Sequence, residues 1–468
     1  MNWKNILKSL KNKDMQKRLL IIFGIIVIYR FLAHIPVPLA EPTEMKKVIE
    51  SVIGSTDFGG FMNLISGGAL TSFSILLVGL SPFITASIVS QLLTKAIPRL
   101  EELHNDGETG RRKINQWTRM LTVPLAIVQS IAYIFILRQT VLAGNTTTLA
   151  NTSIGEWAVA ITAMSAGSVL LMWLGELVTE QGIGNGISTV IFASIVSQFP
   201  TIISTLGTAV MDTSTGSLSV FGWFTIPLNP FVLGLIICMI LACVLVLYVL
   251  VKINEAQRII TINYAKRVHG NSVYGGVKSI LPVKLIAAGV IPVIFAVAFL
   301  SLPAFAGQLL KSADKAPDLA AKLTTWFQAP NPGTFTGESW QAFIYPVTYF
   351  LLVVGFTYFY TSIIFNAKEI AENMQKQGGF VEGVRPGKKT EVYLTSTVRR
   401  LTLFGALSLG LIAMLPFIAD WMLYMFAGVQ NSQLSLSGTG LLIVVTVALE
   451  NLRQLNSRAL MVTYDDYK

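Results

Sequence analysis

Charge is scarce in this chain. Of its 468 residues only 13% are Asp, Glu, Lys or Arg, and it has three histidines and two cysteines. Each shortage excludes something. His34, His104 and His269 are too scattered for a metal site. Cys238 and Cys243 share one apolar run, which favours buried thiols over a disulfide framework or a zinc site. No HExxH or GxSxG motif occurs, and GVRPGKKT (383–390) has three residues between its glycines where a phosphate loop needs four. No cofactor, metal or catalytic residue is therefore expected, and the chain is not an enzyme on this reading. A cleavable leader is not expected either. Residues 1–18 are a Lys-rich lead, and the apolar run from Leu19 reaches Pro36 without a small-residue cleavage site, so the first helix is expected to stay.

What the chain has in abundance is apolar length. It is 53% hydrophobic with a mean hydropathy of +0.62. Stretches of roughly 20 apolar residues, enough to cross a bilayer as helix, fall near 19–36, 76–95, 118–141, 156–177, 184–205, 228–251, 283–303, 341–366, 400–420 and 437–455. The expected fold is an all-α polytopic membrane protein with ten transmembrane helices. Lys and Arg fix the orientation, because they concentrate in cytoplasmic loops. Segments 1–18, 95–119, 252–284, 367–400 and 451–468 hold 28 of the 35 basic residues, against 5 in 37–75 and 304–340. Both termini are thus expected in the cytoplasm, and the net charge of +10 is a topological signal before it is anything else.

Ten spans divide at the polar stretch 206–227 into halves 1–205 and 228–468, five spans each. An odd number per half inverts the second half, and inverted halves usually enclose a pathway. A secondary transporter would share that plan. It would ordinarily bury ionisable groups near the bilayer midplane, however, and the spans hold very few.

Two stretches are unusual inside. ISGGALTSFSILLVGLSPFITAS (65–87) begins with Ser66, Gly67, Gly68, Thr71 and Ser72 where a lipid-facing helix would carry Leu or Ile. MWLGELVTEQGIGNGIS (172–188) joins two spans with almost no loop, and Gly182, Gly184 and Gly186 suit a tight hairpin with interfacial Glu176, Glu180 and Asn185 at its turn.

With SGGALTSFSILLVGLSPFITASIVSQLL (66–93), GETGRRKINQWTRMLTV (107–123), AGVIPVIFA (288–296), GGFVEGVRPGKKT (378–390) and GTGLLIVVTVALE (438–450), the hairpin stretch completes six blocks in order along the chain. Together they resemble the successive signatures of the SecY family, the central subunits of bacterial protein-conducting channels. The resemblance implies a re-entrant plug helix at about 58–75, including Ser66, Gly67, Gly68, Ala69 and Leu70, that closes the pore from outside. It places the family's apolar pore ring on Leu80 and Ile84, Ile187 and Ile191, Ile294 and Ile443. Two of these pairs are spaced i, i+4 and so share a helix face. A narrow apolar ring excludes water and ions by dewetting while flexing around a polypeptide of any sequence.

The same resemblance implies a lateral gate for hydrophobic segments, with Thr85, Ser87 and Gln91 as its polar stripe. Ile286 stands where the family usually has Asn, so a cross-gate amide partner is missing and the opening balance is expected to shift. Cytoplasmic loops 252–284, with Arg258, Lys266 and Arg267, and 367–400, with Arg385, Lys388 and Lys389, would dock the ribosome or the motor ATPase SecA. QRIITINYAKR (257–267) lacks an Arg and a Pro often found there in relatives. SecE, SecG, signal-bearing preproteins and membrane lipid are the other implied partners, and the bacterial plasma membrane the implied location.

Overall fold

A computed structural model of the chain describes residues 12–38, 67–69, 72–143, 153–182, 184–211, 218–220, 224–226, 230–264, 267–269, 272–274, 278–312, 316–327, 330, 340–427 and 436–465. The first helix, α1 (Lys13–Leu32), starts where the Asn12 side chain accepts the Asp14 amide at 2.9 Å. Sequence alone suggests a second span from residue 76. Instead residues 72–80 run as turns, pinned to the end of α1 by Val37 N to Phe73 O at 2.9 Å and Ile75 N to Ile35 O at 3.0 Å. Gly79, at φ +59°, ends these turns, and Pro82, whose missing amide costs nothing in a first turn, opens α2 (Ser81–Ala96).

A short amphipathic α3 (Pro98–Asn105) follows, then α4 (Glu108–Ala143) and α5 (Ile154–Glu180). The Lys95 ammonium bonds Glu101 at 2.8 Å and holds that carboxyl below the usual carboxylate range. A capping box of Ser153 and Glu156 starts α5. The expected fifth span is two helices, α6 (Gly186–Val196) and α7 (Phe199–Met211), because the chain turns at Ser197 and Gln198 ahead of Pro200. Strands β1 (Leu218–Val220) and β2 (Phe224–Ile226) pair antiparallel within the polar connection.

Next come α8 (Pro230–Glu255), β3 (Gln257–Tyr264), β4 (Arg267–His269), β5 (Ser272–Tyr274), β6 (Lys278–Lys284) and α9 (Ile291–Ser312). They are followed by α10 (Pro317–Phe327), α11 (Ile344–Ile364), α12 (Ala367–Lys376), β7 (Gly379–Val381), α13 (Lys388–Ala427) and α14 (Leu436–Asp465). Among the described residues six stretches are long and apolar enough to cross a membrane: Glu108–Phe135, Ile154–Glu180, Ile236–Glu255, Ile291–Lys311, Trp340–Lys376 and Lys388–Ala419. α2 is too short for that measure, having given its first turn to the 72–80 segment.

Outward faces are apolar, as a lipid-facing surface should be. On α8, Ile237, Ile240, Leu241, Val244 and Leu245 are all exposed. Cys238 is exposed on that helix and Cys243 half-buried, so the expectation of buried thiols is corrected: this apolar run faces outward and not into a core of the chain itself.

By its internal contacts the chain forms two compact units, Met1–Ile240 with Val297–Pro346 and Pro416–Lys468, and Leu241–Ala296 with Val347–Leu415. In the first, Val37, Phe73, Leu77, Val78, Tyr133, Ile134, Ala160 and Met164 form one buried cluster, which seats the 72–80 turns against α4 and α5. Gly167 of α5 makes this approach possible, since a Cβ there would overlap the Ile75 carbonyl. The second unit holds what sequence reading left as cytoplasmic loops. β6, β3 and β7 form an antiparallel sheet in that order, so loop 252–284 and loop 367–400 are hydrogen-bonded into one body. Pro282 sits in β6, an edge strand, where a missing ladder donor is tolerated. Under the sheet Ile260, Ile262, Val283, Ala371, Met374, Val381, Leu394 and Val398 are buried together, each larger side chain contributing roughly 1.5–3 kcal/mol.

Candidate functional site

The residues singled out by sequence distribute over α2, α6, α9 and α14. Leu80, the residue before α2, and Ile84 within it are buried, as are Ile191 on α6 and Ile443 on α14. Ile187 and Ile294 are half-buried. α14 packs along α6, so Ile187, Ile191 and Ile443 lie on two helices in contact. Asn185 starts α6 by accepting the Ile187 and Ser188 amides at 3.1 and 3.5 Å, and the Thr179 hydroxyl accepts the Gly186 amide at 2.9 Å. Glu176 is ion-paired with Arg119 at 2.6 Å. These groups cap and tie a hairpin.

Of the segment expected to plug the pore, Gly67, Gly68 and Ala69 are described and form a turn, as are residues 72–75, which belong to the turns already set out, while Ser66 and Leu70 lie outside the described residues. Gly67 and Gly68 have φ of +67° and +87°, a conformation that suits glycine. The turn is held from α1. Arg30 donates from Nη1 to the Gly67 carbonyl at 2.6 Å, and Tyr29, 2% exposed, is hydrogen-bonded to Ser194 of α6. A Cβ on Gly67 would stand 2.6 Å from the Tyr29 hydroxyl and 2.9 Å from Ser194 Cβ. Ala69 is fully buried. Sequence reading missed Arg30 as a holder of this turn; a lone Arg in the last turn of an apolar helix was the available signal.

On α2, Thr85 is buried and Ser87 and Gln91 are half-buried. Gln91 Nε2 donates to Ser87 Oγ at 3.1 Å, whereas its buried Oε1 has no partner. Ile286, in the turns before α9, is buried.

Among the cations expected to dock a partner, Arg258 is exposed on β3. Arg267 lies in β4 and pairs with Tyr274, and Lys266 lies outside the described residues. Arg385, Lys388 and Lys389 are exposed where β7 turns into α13. Gly383 and Gly387, at φ +79° and +92°, shape that turn, and the Thr390 hydroxyl closes it onto the Arg385 carbonyl at 3.0 Å. Arg385 thus stands on a folded support with its own apolar core. The β-branched run Ile259, Ile260, Thr261 and Ile262 was the sequence signal for that support.

Compared with known proteins, the chain matches the SecY family over residues 74–452. It is 39% identical over 467 residues to the protein translocase subunit SecY of Streptomyces griseus, and 37% identical over 464 residues to that of Streptomyces galbus. In both cases 98% of each chain is covered. The chain belongs to the SecY family. Its fold agrees with solved SecY-type structures: one described as a protein-conducting channel has a TM-score of 0.61 at 18% identity, covering 94% of this chain and 91% of that one. Sec61 of a canine ribosome–channel complex gives a TM-score of 0.58 at 17% identity, covering 94% and 91%. At that identity the likeness establishes the fold, a SecY channel fold in a multi-pass membrane protein.

Proposed function

We propose that this SecY-family chain is the conducting subunit of a protein translocase in the bacterial plasma membrane, with both termini cytoplasmic. It passes unfolded secretory polypeptides and releases hydrophobic segments sideways into lipid. The family match along almost the whole chain carries this reading. Leu80, Ile84, Ile187, Ile191 and Ile443 form the constriction, joined on resemblance by Ile294. Residues near 58–75 plug it, and one solved relative is described by a SecY plug domain that stabilises the closed state. Thr85, Ser87, Gln91 and Ile286 belong to the lateral gate. Chemistry supports the assignment of Ile191 and Ile443, since branched apolar side chains on uncharged stretches of helix give a dry, deformable collar.

Crosslinking tests the path. With Cys238 and Cys243 replaced by Ser, an Ile191→Cys chain should form a disulfide with a cysteine-bearing precursor only while that precursor is stalled in transit. Absence of crosslinks at both Ile191 and Ile84 in membranes that do translocate would place the path elsewhere.

SecE, SecG and either SecA or the ribosome complete the assembly, with Arg385, Lys388, Lys389, Arg258, Lys266 and Arg267 as the docking cations. Basic tips suit ribosomal RNA phosphates and acidic motor surfaces alike. Arg385 differs from the two lysines in standing ahead of α13, in the segment shaped by Gly383 and Gly387, whereas Lys388 and Lys389 open the helix itself. Arg385→Glu is expected to lower translocation into vesicles about tenfold, while Lys388→Ala changes it less than about twofold. Equal losses from the two changes would reduce Arg385 to general surface charge.

A further inference from the structure

The seam between α6 and α14 has an unusual division of labour. Its contacts run in opposite order along the two helices, Gly184 with Gln454, Thr189 with Asn451 and Ile195 with Gly440, so the helices are antiparallel. The apolar part of this seam does not define its own register. α6 carries Ile187, Ile191 and Ile195 at intervals of four, and α14 carries Ile443 and Val447 at the same interval. A slide of one turn, about 5.4 Å, would again set branched side chains against branched side chains.

Polar contacts at the cytoplasmic end remove that ambiguity. Gln454 Oε1 accepts the Gly184 amide at 2.6 Å, and Asn451 Nδ2 donates to Thr189 Oγ1 at 3.2 Å. The Asn451 amide also fills the space that a Cβ would need at Gly184. A one-turn slide breaks both bonds and strands partly buried polar groups, which is costly. A buried Asn specifies register in coiled coils on the same physical ground.

The other end of the seam is a close apolar approach, with a Cβ on Gly440 falling 3.3 Å from Ile195 Cγ2. Between the two anchor points lie Ile191 on α6 and Ile443 on α14, both buried. We infer that Asn451 and Gln454 are positioning residues for conduction: they lock the register of α14 on α6 and so fix the height of Ile443 relative to Ile191. This rests on the reading of Ile191 and Ile443 as part of the constriction.

The test uses the full chain in its translocase, with Cys238 and Cys243 replaced by Ser. A Gly440→Cys, Ile195→Cys pair reports the observed register by disulfide formation, and a Gly440→Cys, Ile191→Cys pair reports the slipped one. With Asn451→Leu and Gln454→Met added, the yield of the second pair relative to the first should rise about tenfold or more. Export of a precursor with a defective signal sequence should rise with it. An unchanged disulfide ratio overturns the register lock whatever export does. A shifted ratio with unchanged export overturns the link to conduction, and locates the failure in the constriction assignment. Should the double variant not accumulate, Gln454→Met alone, which keeps the side chain's volume, is read by the same two pairs.

Discussion

Gly67→Val should leave a channel that no longer stays shut. Gly67 sits at φ +67°, where a β-branched residue is strained. Its would-be Cβ meets the buried Tyr29 hydroxyl at 2.6 Å and Ser194 at 2.9 Å, and neither neighbour is free to move away cheaply. Backbone strain of about 1–2 kcal/mol and overpacking of about 1–3 kcal/mol act on the same seat. The penalty falls on the arrangement in which Gly67 is docked, so the expected result is a shift away from it by a factor on the order of 30 or more. Export of a precursor with a crippled signal sequence should rise accordingly, and resting membranes should leak small anions. Arg30→Met, which removes the donor to the Gly67 carbonyl, should act in the same direction more weakly. Wild-type tightness in Gly67→Val membranes at normal chain levels would detach this turn from closure.

The second large effect concerns assembly of the chain itself. Gly186→Leu places a side chain where Gly175 O and the Thr179 amide and hydroxyl already stand. α5 and α6 must then separate, and the bond from the Gly186 amide to Thr179 is lost. Overpacking of this kind costs about 1–3 kcal/mol or more, a large share of the stability of most proteins. The expected outcome is a chain that is degraded rather than accumulated, measured as steady-state level and as thermal midpoint in detergent. Gly234→Ala and Gly355→Ala, at helical positions where an added Cβ would meet nothing beyond its own helix backbone within 4 Å, serve as controls and should accumulate normally. A stable Gly186→Leu chain would mean that the hairpin is not tightly closed.

Sequence made the hairpin legible because three closely spaced glycines between two apolar runs leave few other arrangements. It did not reveal their counterpart, Gly175 within α5, because a glycine inside a long apolar helix, like Gly167 two turns earlier, does not announce which neighbour it admits. The ten apolar runs were readable from hydropathy, yet the start of α2 was not. Apolar residues 76–80 look the same whether they extend a helix or pack as turns against α4 and α5, and only the tertiary cluster decides. The sheet of β6, β3 and β7 was hidden for a related reason. Its strand β7 lies more than a hundred residues from β3, so the pairing of Ile262 with Val381 leaves no local trace. Of the candidate site, the ring and docking residues came from matched motifs. Arg30, Asn451 and Gln454 are polar side chains whose roles depend on a partner far along the chain, and no spacing rule reaches them.

α13 has a mechanical meaning of its own. Lys388–Ala427 is one helix of 40 residues, about 60 Å long. Its first turns are clamped by Leu394 and Val398 into the apolar core beneath Arg385, and its later turns are long and apolar enough to cross the bilayer. A helix transmits a push along its axis with little loss, except where a backbone bond is missing. Pro416, with no amide hydrogen to give, is such a place. On the docking proposed for Arg385, a load placed there enters α13 directly and runs along an unbroken ladder of backbone hydrogen bonds as far as the turn that ends at Pro416.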